Sequence, residues 1–157
     1  MQRRTLQLLG TLSLAVALIL CARLLYDVRA TAAREADEAA FSLLTTYASA
    51  QEFHRLSGGR FGSVDELLAG GFLAPAEFAD QFGADRGGLE LSFETSPDGL
   101  HFTGRARPVW WLWGSASYWY IDERRALTSN ATQPAGPDDT IHSRTSVVIC
   151  PPPTRPN

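Results

Sequence analysis

The chain has 157 residues and a formal net charge of -3, which leaves room for one small domain once an apolar amino end is set aside. Its fourteen basic residues are all arginine, which excludes lysine-dependent catalysis and reads as the codon bias of a GC-rich genome. Residues 1–30 hold four Arg and one Asp, a balance of +3, and residues 31–157 hold ten Arg and sixteen Asp or Glu, a balance of −6; the acidic remainder lacks the basic face that nucleic-acid phosphates need.

From Thr5 to Ala22 no residue is charged, and Arg3, Arg4 and Arg23 bracket the run. Eighteen such residues make a helix of ~27 Å, close to the hydrocarbon thickness of a bilayer. Only Thr5, Gln7, Thr11 and Ser13 are polar, so no polar stripe marks a surface helix. Residues 5–25 therefore read as an uncleaved single-pass anchor, with Leu8, Leu12, Val16 and Ile19 as its helix-packing positions. Two alternatives stand beside it. A secretory signal would exit at Ala30-Thr31-Ala32, and a lipoprotein signal would use Cys21, although Leu18-Ile19-Leu20 before that cysteine is a poor match. Two arginines in the four-residue head, residues 1–4, favour an amino end that stays cytoplasmic. Arg23, Arg29 and Arg34 beyond the run are diluted by Asp27, Glu35, Asp37 and Glu38.

Helical character continues from Tyr26 to Leu56 without proline or glycine. Phe41, Leu44 and Ala48 fall on one helical line, and Leu43, Tyr47 and Ala50 on the next. One continuous helix, half in lipid and half amphipathic, would reach ~75 Å; the alternative is two helices broken near Asp27–Thr31. Gly58-Gly59 ends the run. Ser63-Val64-Asp65-Glu66 has the form of a capping box and predicts a short helix to Gly70-Gly71, with Phe72 and Leu73 buried after it. Pro75 can start another turn towards Phe82.

The period then becomes two. Leu89, Leu91 and Phe93 alternate with Glu90, Ser92 and Glu94, and Ser96-Pro97-Asp98-Gly99 is a strong turn signal. Leu100, Phe102, Gly104 and Ala106 form the returning strand, closed by Pro108, and a third strand covers Ala116 to Asp122. From about Thr128 the chain is rich in Pro, Thr, Ser and Asp and reads as irregular. Val147-Val148-Ile149 is at most a short strand before Pro151-Pro152-Pro153.

A long helix followed by a three-stranded meander resembles type IV pilins and type II secretion pseudopilins. The resemblance rests on Tyr47 to Phe53, Gly59-Arg60-Phe61-Gly62-Ser63 to Leu68, Gly71-Phe72-Leu73, the hairpin Ser96 to Pro108, and Tyr118 to Glu123. It spans roughly residues 41–141 of the chain. It implies an α+β fold in which the long helix packs on a three- to four-stranded antiparallel sheet. It also implies a bacterial inner-membrane protein with a periplasmic domain over residues 26–141, while composition assigns residues 142–157 to a disordered Pro-rich tail. The implied role is a non-enzymatic structural or assembly subunit of a type IV pilus or type II secretion-like system, meeting similar subunits through its helix. The amino end departs from the family pattern: Gly10 is followed by Thr11-Leu12-Ser13, and no Glu precedes Glu35. That departure weighs against prepilin processing and against ordinary incorporation in a filament.

No catalytic constellation is legible. His54, His101 and His142 do not match zinc spacings, and G-x-S-x-G is absent. Cys21 and Cys150 have no obvious internal bridge, so packing alone must hold the domain. Asp138 and Asp139 are the one calcium candidate, because some pseudopilins bind calcium in a carboxyl-terminal loop; a solvated acidic loop is the plainer reading. Trp110, Trp111 and Trp113 have two readings, an interaction surface or core supplied by a loop folded over the sheet. An alternative function follows from the first, a membrane-tethered periplasmic binding or sensory module that uses the Trp110–Trp113 loop.

Overall fold

The computed structural model describes residues 2–74, 89–109, 112 and 114–144, with side chains from Ser13 to His142 within that set. The protein is α+β. Two helices, α1 (Gln2–Gly58) and α2 (Val64–Ala69), precede five strands: β1 (Leu89–Thr95), β2 (Phe102–Pro108), β3 (Tyr118–Asp122), β4 (Ala126–Asn130) and β5 (Thr140–Arg144).

α1 is 57 residues long, about 85 Å at 1.5 Å per residue. It runs unbroken through Asp27–Thr31, where Thr31 donates its hydroxyl to the Asp27 carbonyl at 3.0 Å. It stops at glycine, as the sequence predicts. Gly59 takes φ +77 and donates its N–H to the Arg55 carbonyl at 2.8 Å, a left-handed cap that side-chain-bearing residues resist.

The covered side of α1 begins at Ala33. Ala33, Ala36, Ala40, Leu44, Tyr47 and Gln51 are buried at spacings of three and four, which is one face of a 3.6-residue helix. Phe41, placed on the apolar line by its spacing, instead lies 39% exposed at the edge, its ring 6.3 Å edge-on from Trp119. α2 carries the expected capping box: Ser63 Oγ accepts from the Glu66 N–H, and Glu66 accepts from the Ser63 N–H at 2.8 Å. Leu73 is buried and Phe72 half-buried. Pro75 to Phe82 lies outside the described residues.

The strands form one antiparallel sheet in the order β1-β2-β3-β4-β5. Alternation sets the faces: Leu89, Leu91 and Phe93 pair with Pro108, Ala106 and Gly104. Gly104 sits opposite Ile121, and a Cβ there would lie 3.0 Å from both Ile121 and Leu44 of α1. The side of the sheet bearing Gly104 thus faces Leu44 of α1. Tyr47 packs at a tilt against Phe93 and meets Phe102 edge-on on the same side, with ring centroids at 4.3 and 5.6 Å.

Five strands correct the expectation of three to four. The segment from Thr128, expected to be irregular, supplies most of β4 and all of β5. β5 continues to Arg144, inside the stretch that composition assigned to the tail, and Val147–Ile149 lies outside the described residues. A bulge between Leu127 and Thr128 shifts the β4–β5 register. The loop joining these strands folds over the other face of the sheet. Thr128 donates to the Gly136 carbonyl at 2.7 Å, and Ala135 is buried.

Candidate functional site

α1 changes character along its length. From Ser13 to Arg29 every residue is exposed, on every side of the helix. Leu18, Ile19, Leu20, Leu24 and Leu25 are 61–70% exposed, and Val16 is 50% exposed. A helix apolar all round, as this one is from Leu14 to Ala22, is expected inside a large core or a bilayer, and among the described residues nothing covers these side chains. Of the four anchor positions read from sequence, Val16 and Ile19 are on this projecting segment. Leu8 and Leu12 are in the helical backbone, but their side chains lie outside the described set. Among the described residues no helix is long and apolar enough to cross a membrane; the uncharged run begins at Thr5, ahead of the first described side chain.

Two polar anchors tie the covered half of α1 to the rest, and sequence reading missed both. Asp37 Oδ1 accepts from the Ser117 N–H at 2.9 Å and from Trp119 Nε1–H at 2.8 Å, fastening α1 to the start of β3. About two turns before Gly58, Gln51 is fully buried. Its Nε2 donates to the Gly62 carbonyl and to the Tyr47 hydroxyl, both at 2.7 Å, and its Oε1 accepts from the Gly62 N–H at 2.9 Å. Thr95 at the end of β1 donates to the same carbonyl at 2.8 Å. Burial pushes the Tyr47 hydroxyl pKa up, so it stays a neutral donor and acceptor. The available signal was a polar side chain on an otherwise apolar helical line: Asp37 between Ala33 and Ala40, and Gln51 after Tyr47.

The acidic loop is internally satisfied. Asp139 accepts from Asn130 Nδ2 at 2.8 Å and from the Gly136 N–H at 2.7 Å, while Asp138 is exposed. The structure therefore gives Asp139 a turn-closing role, and among the described residues no three His, Cys, Asp or Glu are grouped to hold a metal. The histidines stay apart. His54 meets the Arg60 carbonyl, His101 meets Glu123 at 3.1 Å, and His142 meets Ser129 Oγ at 2.6 Å while packing on Trp119.

Trp110, Trp111 and Trp113 lie outside the described residues. Leu112 among them is buried, and Gly114 and Ser115 line a small cleft against α1 with Tyr26, Arg29 and Arg34. A second cavity, of about 400 Å³, opens on the sheet face away from α1. Glu90, Ser92, Arg105, Arg107, Tyr118 and Pro134 line it. Arg107 pairs there with Glu90, and Arg105 lies 5.8 Å over the Tyr120 ring.

The fold and these surfaces define an α+β head on a projecting apolar helix. No family model matches the chain, and comparisons with curated proteins and with solved structures return no match either.

Proposed function

We propose that this chain is a membrane-anchored, non-enzymatic structural or assembly subunit of the pilin or pseudopilin type. Its helix would enter the inner membrane with the amino end cytoplasmic, and its head would stand in the periplasm. One observation carries the reading: from Ser13 to Ala22 a single helix is uncharged and exposed on all sides, it stays exposed to Arg29, and only from Ala33 has it a buried face. Packing of that second half across the sheet, supported by the Leu44, Tyr47 and Asp37 contacts, is part of the same reading. Similar subunits would meet the uncovered half, and no metal or cofactor is required.

The test is mass analysis of the mature amino terminus together with alkaline extraction of membranes. An intact Met1 in the extraction-resistant fraction is the expected result. A start at Thr11 would establish processing after Gly10, and a start near Ala33 in the soluble fraction would defeat the anchor. Assembly is read separately, by oxidative crosslinking through the exposed Cys21 in a Cys150→Ser background. Dimers or crosslinks to secretion or pilus components are expected. A strict monomer would leave the second reading, a tethered binding module, whose supporting observation is the arginine-lined cavity beside Tyr118.

A further inference from the structure

We propose that the cleft at the neck of the molecule is a binding site for the phosphate of an anionic phospholipid headgroup. This rests on the membrane-anchor reading. The cleft, about 280 Å³, is lined by Tyr26, Arg29, Ala30, Ala33, Arg34 and Asp37 of α1 and by Gly114 and Ser115 of the loop before β3.

Position comes first. The uncharged run ends at Ala22, so Tyr26 and Arg29 lie about 6 and 10 Å further along an upright helix. The polar layer of a bilayer is roughly 5–8 Å deep on each side of its hydrocarbon core. Tyr26 falls within that layer and Arg29 just above it. Side chains on a helix lean towards its amino terminus, which here is the membrane end. A long arginine can therefore reach down to phosphate level while its stem stays on the helix. Arg34 is one and a half turns higher and forms the upper wall.

Charge comes second. Among the described residues of the lining, Arg29 and Arg34 contribute two guanidinium groups and Asp37 one carboxylate. Asp37 Oδ1 already accepts the Ser117 N–H and the Trp119 Nε1–H, which draws its charge into the head. At about 100° per residue Glu35 lies towards the other side of the helix, whereas Glu38 stands one turn above Arg34 and Asp27 at the cleft's edge, which leaves Arg29 as the principal cation of the site. Tyr26 is 72% exposed and has the half-apolar, half-polar side chain that suits a membrane–water boundary. A phosphodiester fits this combination better than a neutral headgroup does, and a guanidinium fork matches its oxygens.

The experiment uses the full chain reconstituted in bilayer discs of phosphatidylcholine, with and without phosphatidylglycerol, and native mass spectrometry of the lipids that stay bound. Phosphatidylglycerol should be retained preferentially. Arg29→Gln should reduce that preference roughly fivefold, with Arg34→Gln adding less. Arg29→Lys should keep most of it, and the distant Arg55→Gln should leave it unchanged. Equal retention of both lipids, or a preference indifferent to Arg29→Gln, would overturn the site while the anchor stands. Displacement of phosphatidylglycerol by millimolar inorganic phosphate would reassign the cleft to a free anion. A chain that fails to enter the discs would overturn the anchor itself, and this proposal with it.

Discussion

Gln51 is the residue whose loss should be felt most. Its amide satisfies both the N–H and the carbonyl of Gly62 and braces Tyr47, all within a buried junction. Gln51→Ala leaves the Gly62 N–H unpaired and opens a cavity, and is expected to cost about 2–4 kcal/mol. Urea unfolding followed by aromatic fluorescence measures it; a loss within experimental error would show that water takes over those bonds. Arg125 has the opposite sign. It holds φ +59 in the turn from β3 to β4, a conformation costing about 1–2 kcal/mol for a residue with a Cβ. Arg125→Gly removes that strain and gives back roughly 0.5–1 kcal/mol in chain entropy, so a small net stabilisation is expected in the same assay.

Short elements with their own chemistry were legible; elements that depend on neighbours were not. Ser63-x-x-Glu66 states its helix locally, and Ser96-Pro97-Asp98-Gly99 states its turn, with Gly99 at φ +67. β4 and β5 make no such statement. Ala126–Asn130 offers one large apolar residue, Leu127, and its Thr128 and Ser129 are buried only because the neighbouring strands and the loop to β5 cover them. The turn before β4 uses Arg125 where a glycine would have announced it. β5 leaves Ile141 half-exposed, so its pairing with β4 outweighs any alternating pattern. The two legible elements also carry a pH signature. The Ser63 N–H, aided by Arg60, holds the Glu66 carboxyl below its ordinary pKa, and the Ser96 hydroxyl and Leu100 N–H do the same for Asp98. A depressed folded pKa means stabilisation that is present above the ordinary carboxylate range and lost as pH falls through the folded value. On acidification, the Ser63 and Leu100 amide signals should therefore titrate below the ordinary Glu and Asp pKa values. The Ser63 response should vanish in Glu66→Gln. Midpoints at or above ordinary values would contradict these bonds in solution.

At the scale of the whole molecule, the two halves of α1 have separable duties, and the boundary between them is sharp. The exposed stretch ends at Arg29; burial starts at Ala33, and Asp37, Leu44, Tyr47 and Gln51 supply the contacts to sheet and loop. If the first half serves only lipid and neighbouring subunits, removing it should leave the head intact. A chain beginning at Ala30 keeps every buried helix residue named here and discards Leu14 to Val28, whose apolar side chains would otherwise drive association in water. It is expected to be monomeric without detergent, to show the same near-ultraviolet dichroism as the full chain, and to unfold in one cooperative step. The full chain, by contrast, should need detergent or lipid to stay dispersed. Sedimentation and dichroism on the two forms decide the matter. A truncated chain that is expanded or aggregated would mean that the projecting half helps hold the head together, and that the uncovered leucines belong to a larger fold instead of a membrane.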